Sequence, residues 1–164
     1  MPLADTYITD ELRAQVGRER DRIVSFPVDR SLIRQWAIAV RWPEPPERLY
    51  WDEEYAKRTR FGGIIAPPFF NPFAYHVDEE RMKGPSTTGV LSSEPGTRPL
   101  NGGGEVEYYE PIRPGDVITS VSKMADLLER PGRLGVMMFV ITETRWTNQK
   151  NELVRIYRGT SIRY

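Results

Sequence analysis

From Glu105 to Tyr164 the chain is a succession of apolar and alternating segments separated by short Pro-Gly or polar turns, and this stretch narrows the fold more than any other. Glu105 to Glu110 alternates, with Val106 and Tyr108 on one face, and Arg113-Pro-Gly-Asp116 reads as a turn. A long strand candidate runs from Val117 to Leu128, followed by a second turn at Arg130-Pro-Gly-Arg133. Leu134 to Trp146 is apolar on both faces for most of its length, as a central, covered strand is. After the polar loop Thr147-Asn-Gln-Lys-Asn151, alternation resumes from Leu153 to Tyr164. The pattern predicts strands over 104–112, 116–129, 133–147 and 152–164, joined in an antiparallel meander.

The first half reads differently. Thr9 to Gln15 fits a short helix capped by Thr9 or Asp10, broken by Gly17. Arg22 to Pro27 carries strand-forming residues, with Pro27 confining it to an edge or a strand end. The clearest helix follows Asp29 or Ser31 as cap. Leu32, Ile33, Trp36, Ala37 and Val40 share one of its faces, and Pro43, Pro45 and Pro46 end it near Trp42. Asp52 to Arg58 reads as a second, short helix, acidic at its start and basic at its end. In Phe61-Gly-Gly-Ile-Ile-Ala-Pro-Pro-Phe-Phe-Asn-Pro-Phe73, three prolines dictate an extended lead into a short buried helix expected from Phe69 onward. Glu79 to Leu100 is polar and irregular, and a loop of that length is usually functional or mobile; Met82 to Pro99 has the fewest apolar anchors. Helices followed by a run of antiparallel strands give the α+β class. The sheet's apolar face must be covered, and Phe69 to Tyr75 is the natural filling; a sheet wrapped around a central helix is the hot-dog arrangement.

Composition removes several functions. A length of 164 residues fits a single domain, 1-164, with 1-20 as an N-terminal extension and 79-100 as a long irregular loop. Lys plus Arg and Asp plus Glu both total 23, so no basic excess points to a nucleic-acid partner. The absence of Cys excludes disulfides and thiolate chemistry, and a single His excludes a multi-histidine metal site. No apolar run approaches the roughly 18 residues of a membrane helix, and the start at Met1 lacks a signal-peptide core. A cytoplasmic protein is expected, with no metal and no cofactor.

Three segments carry a resemblance. Tyr50-Trp-Asp-Glu-Glu-Tyr-Ala56, Phe61-Gly-Gly-Ile-Ile-Ala-Pro-Pro-Phe69 and Asn101-Gly-Gly-Gly-Glu-Val-Glu-Tyr-Tyr-Glu-Pro-Ile-Arg-Pro-Gly-Asp116 together resemble the MaoC-like dehydratase family. The likeness runs from about Gly17 to Tyr164. It is similar in particular to the non-catalytic N-terminal halves of double hot-dog members and their stand-alone counterparts, such as the non-catalytic subunit of the mycobacterial (3R)-hydroxyacyl-ACP dehydratase. The resemblance implies a hot-dog fold and reversible hydration of a 2-enoyl thioester carried on CoA or acyl carrier protein. Catalytic members carry a Gly-Asp-x-Asn-Pro-aliphatic-His motif whose Asp and His activate the water. Such chemistry needs a base of near-neutral pKa within reach of the water and a donor for the developing enolate oxygen.

This sequence departs at that motif. In the ungapped match Pro45 stands at the Asp position and Tyr50 at the His position. Proline has no titratable group and an unperturbed Tyr titrates near 10, so no catalytic residue is assigned. Glu44 and Glu47 come into register only with a gap, and no His accompanies them. The lone His76 reads as solvent-facing beside Asp78, Glu79 and Glu80, with a displaced base as the alternative. Phe69, Phe70 and Phe73 are expected to line an acyl channel or fill the core, with Tyr50 and Trp51 at its entrance or packing beside an Asp52 helix cap. Gly102-Gly-Gly104 lacks the Lys and helix of a phosphate loop and reads as a glycine entry into a strand, and Arg113 reads as a solvated turn cation.

The resemblance therefore implies a subunit that binds an acyl-CoA or acyl-ACP thioester and acts with a catalytic MaoC-like hot-dog partner. A catalytically silent acyl-CoA-binding self-dimer, and a self-sufficient hot-dog hydratase or thioesterase using other residues, are the alternatives.

Overall fold

The computed structural model describes residues 6–74, 98–133 and 135–164. In chain order they form α1 (Asp10–Arg13), β1 (Glu19–Val24), α2 (Arg30–Arg41), a 3-10 turn (Arg48–Tyr50), α3 (Glu53–Lys57), β2 (Pro99–Tyr108), β3 (Thr119–Gly132), β4 (Gly135–Thr147) and β5 (Leu153–Arg163). The five strands make one sheet in the order β1-β3-β4-β5-β2, with every neighbouring pair antiparallel.

The meander holds for β3, β4 and β5 but not for β2, which lies on the far side of β5. The reason is local. Arg113–Asp116 is not a hairpin turn, because its surroundings take the backbone groups a hairpin would use. Ala66 N donates to Ile112 O, Gly115 N to Val28 O, and Val28 N to Asp116 O, each at 2.8 Å. The chain is thus held across the end of the sheet before it enters β3, whose free edge is taken by β1. The strand also begins earlier than predicted, at Pro99, so Gly102-Gly-Gly104 lies inside β2 rather than at its start. Register slips between Asn101 and Gly104, and Gly103 has φ +91°, a bulge conformation suited to glycine. A Cβ on Gly104 would stand 2.9 Å from Arg158 O, so β5 leaves no room there for a side chain.

The remaining strands follow the alternation, displaced by two to three residues at some ends. Pairing of β3 with β4 continues through Pro131 and Gly132, so the hairpin closes later than the Arg130-Pro-Gly signal predicts. The helices match their caps: Thr9, Asp29 and Asp52 each accept a backbone N–H from the first turn that follows. On α2, Ile33 and Ala37 are buried and Leu32 and Trp36 half-buried, whereas Val40 is exposed at the end of the helix.

Two apolar clusters line the sheet. The larger joins Ile33 of α2, Ala56 of α3, Ile64 and Phe70 to Ile112, Ile118, Trp146 and Val154. Ile33 and Ile118 are fully buried within it. The smaller, Met124, Met138 and Val140, is covered by Tyr7, Ile8, Leu12 and Val16 of the N-terminal segment. That segment is tethered by Glu129, whose carboxylate accepts from Thr6 Oγ1 and from Tyr7 N and Ile8 N.

The helix predicted from Phe69 is not formed through Ala74. Phe69 has φ +62°, in the left-handed region that a helix excludes, and Asn71 precedes a proline. Asn71 Oδ1 instead accepts from Phe73 N at 3.0 Å in a local turn. Tyr75, His76 and the predicted loop up to residue 97 lie outside the described residues. Among the described residues no helix is long and apolar enough to cross a membrane.

Candidate functional site

A cleft of about 420 Å³ opens where the 3-10 turn, the 61–70 segment, the end of β2 and the β4–β5 hairpin converge. Its walls are mostly aromatic and aliphatic. Leu49 and Tyr50 form one side, Phe61 and Ile65 to Phe70 a second, and Tyr108 to Ile112 with Trp146, Val154 and Arg155 the third.

The walls are held by backbone-directed contacts from the most specific sequence segments. Ala66 N to Ile112 O ties the Pro-rich segment to the end of β2. Arg113 Nη1 donates to Phe61 O at 2.7 Å, and Asp116 Oδ2 accepts from Arg113 N at 2.7 Å. Asp116 Oδ1 also accepts from Gln149 Nε2 at 3.1 Å. Arg113 is therefore a half-buried anchor of the cleft wall, not the solvated turn cation expected from the sequence. The Arg-Pro-Gly-Asp segment shapes the site without lining it.

The predicted site residues divide. Tyr50, Phe69 and Phe70 line the cleft. Phe69 is largely exposed at its mouth, its N–H donating to Tyr108 Oη at 3.1 Å and its ring edge-on to Tyr108 with centroids 6.1 Å apart. Phe70 is buried and packs edge-on against Trp36, centroids 5.8 Å apart. Phe73 sits behind the wall, its ring centroid 5.2 Å from that of Trp146. Trp51 does not join them. It borders a separate small depression with Arg30, Ser31 and Arg34, and its indole N–H donates to Pro46 O at 3.2 Å. Asp52, read as a cap, accepts from Tyr55 N at 3.0 Å, and this bond together with those from Arg48 lowers its pKa.

The matched motif positions are equally distinct. Pro45 is exposed and outside the cleft. Tyr50 is half-buried, and burial, reinforced by Glu47, raises its phenol above the ordinary 10.0. It is therefore protonated at neutral pH. Glu44 and Glu47 both turn to Arg41 on the surface, at 3.0 and 3.7 Å. Among the described residues no three His, Cys, Asp or Glu side chains converge as metal ligands.

Sequence reading missed Arg155, Tyr108 and Trp146 as cleft residues. The strand alternation marks Arg155 as an outward polar position. A bulge overrides that marking: Trp146 pairs with Arg155 and Thr147 with Leu153, so Val154 is the extra residue. Both Val154 and Arg155 then reach the cleft. The Arg155 guanidinium stacks on Trp146, with Cζ 3.4 Å from the ring centroid, and burial lowers its pKa. No short-range sequence signal announces that bulge.

Comparison with known proteins agrees with this architecture. The model of the FAS1-like dehydratase domain region matches residues 14–157. A UPF0336 protein of Streptomyces avermitilis is 30% identical over 118 residues, covering 71% of this chain and 73% of the relative. The ChsH1–ChsH2 complex from Mycobacterium tuberculosis is similar in structure, with TM-score 0.66, 16% identity, and coverage of 93% of this chain and 92% of that one. The C-terminally truncated HadBC (3R-hydroxyacyl-ACP dehydratase) complex from the same organism gives TM-score 0.61, 20% identity, and coverage of 90% and 96%. The five-stranded antiparallel sheet is thus the α+β hot-dog fold of MaoC-like proteins, and the chain belongs to the FAS1-like dehydratase domain region family.

Proposed function

We propose that this chain, as a single cytoplasmic hot-dog domain, is the acyl-holding, non-catalytic subunit of an enoyl-thioester hydratase or 3-hydroxyacyl-thioester dehydratase. One observation carries the reading. The cleft is apolar, while the two positions that the family resemblance assigns to the acid–base dyad hold an exposed proline, Pro45, and a phenol, Tyr50, whose pKa burial raises further above neutrality. Phe69, Phe70 and Tyr50 contact the acyl group of a CoA or acyl-carrier-protein thioester; Phe73 supports the wall through Trp146. A second hot-dog subunit supplies the Asp and His.

The similarity to two proteins solved as complexes supports a hot-dog partner. So do β1 and β2, which have no further strand beside them among the described residues, and the exposed apolar side chains Val24, Ile38 and Trp42, since folded proteins normally cover both.

Co-expression with a MaoC-like subunit carrying the Gly-Asp-x-Asn-Pro-aliphatic-His motif tests this reading. Native mass measurement is expected to give a stable heteromer. Tyr50→Phe in that heteromer is expected to leave turnover nearly intact, and Phe69→Ala to change chain-length preference. Loss of turnover in Tyr50→Phe would make Tyr50 catalytic and end the non-catalytic reading.

A further inference from the structure

We propose that Arg155 makes this cleft selective for an amphipathic carboxylate, with the apolar portion of the ligand against the aromatic wall and its carboxylate on the guanidinium. The starting point is a contrast on one strand. Arg158 is held between two acids, Glu107 at 2.6 Å and Glu143 at 2.9 Å. Arg155, three residues earlier, is half-buried: its Nε is enclosed with no hydrogen-bond partner, and no carboxylate among the described residues pairs with the rest of the guanidinium, which borders the cleft. Stacking on Trp146 stabilises the cation but accepts none of its N–H bonds. An arginine remains charged when buried, and a buried charge without an acceptor is costly.

With the bulge at Val154, this cation lies along the open cleft, on the same side as Trp146. Burial disfavours the charged form of Arg155, which agrees with a site short of a counter-ion. Directly across the β2–β5 pairing stands Tyr108. Its hydroxyl accepts from Phe69 N, which leaves its own proton for a second acceptor. A carboxylate between the two receives a charge-assisted bond from arginine and one from the phenol. Among the described residues the charged groups along the cleft are Arg60, Glu110 and Arg155, of which Arg60 and Glu110 are exposed and Arg155 is half-buried. The volume of about 420 Å³ lies within the range of small-ligand sites.

Carboxylate selection rests, as the proposed function does, on the cleft being a ligand site; the carboxylate is that of a free acid competing there with the thioester, which carries none. Binding to the isolated full-length chain needs no partner subunit, however. Failure here leaves the heteromer assays standing, and failure there leaves this selection standing.

Octanoate, octan-1-ol and octylamine are the probes, titrated against the isotopically labelled full chain while the Trp146 indole N–H resonance is followed. Octanoate is expected to bind at least about tenfold more tightly than either analogue, as a hydrogen bond to a charged group implies. It is expected to shift the Trp146 resonance and to leave that of Trp51 in place. Arg155→Met is expected to abolish the preference while retaining octan-1-ol binding. Equal affinity for octanoate and octan-1-ol in the unaltered protein would overturn the assignment even if the variant failed to fold. So would an undiminished preference in folded Arg155→Met.

Discussion

The Arg-Pro-Gly tripeptide occurs twice, at Arg113 and at Arg130, and the two arginines are predicted to differ sharply in what they stabilise. Arg113 is half-buried and its Nη1 donates to Phe61 O at 2.7 Å, across 52 positions in sequence. Arg130 is exposed near the tip of the β3–β4 hairpin and lies over Phe139 at 5.7 Å. Met in either position keeps much of the aliphatic stem and removes the guanidinium. At Arg113 this deletes a charge-assisted bond and leaves a part-buried carbonyl without its donor, a loss of about 1.5–3 kcal/mol. At Arg130 it deletes an exposed cation–π contact of about 0.5–1 kcal/mol. Unfolding entropy near 2.1 cal/mol/K per residue gives roughly 0.34 kcal/mol/K for this chain of 164 residues. Arg113→Met should therefore lower Tm by about 4–9 °C, and Arg130→Met by no more than about 3 °C. Differential scanning calorimetry on both variants under one buffer reads the difference. If the two melt within about 1 °C of each other, Arg113 is only a solvated turn residue and the cleft wall is not anchored as described.

Two further outcomes follow from the charges. Glu129→Ala removes the acceptor for Tyr7 N and Ile8 N, so hydrogen exchange over residues 6–16 should accelerate by about tenfold, the equivalent of one modest hydrogen bond, while β3 to β5 remain protected. For Glu143, burial alone raises the pKa, but hydrogen bonds from Lys123 and Arg158 outweigh it and the net shift is downward from 4.5. A depressed carboxylate contributes stability above its unfolded pKa that is lost as pH falls through the folded one. Denaturant titrations from pH 7 to pH 3 should show stability falling more steeply in the unaltered protein than in Glu143→Gln. Parallel curves would mean that Lys123 and Arg158 do not select the ionised form.

The legible parts of the sequence were those whose signal is local. Helix caps at Thr9, Asp29 and Asp52 lie within three residues of the groups they satisfy, and the alternation of β3, β4 and β5 reflects a pleat that each strand carries by itself. The partner of β2 was not legible, because Arg113-Pro-Gly-Asp116 looks the same as a hairpin turn until Val28 claims its backbone and Ala66 that of the adjoining Ile112. The aromatic cleft was half legible. Phe69 and Phe70 stand out in a Pro-rich segment, and Tyr50 emerges from the motif match. Trp51 was misplaced because adjacent residues around a 3-10 turn point in different directions. Arg155 was invisible because its orientation depends on one extra residue, Val154, opposite β4.

The measurement that bears most directly on the proposed role is crotonyl-CoA hydration by the purified chain, alone and titrated with a hot-dog subunit that carries the Asp and His motif. Positioned acid–base groups contribute typically about 10²–10⁴-fold, and on the proposed reading Pro45 and Tyr50 supply none of it. The chain alone is expected to show no hydration above background, with activity rising on addition of the partner and saturating at an equimolar ratio. Steady hydration by the chain alone, undiminished by further purification, would contradict the account and place the catalytic groups within this sequence.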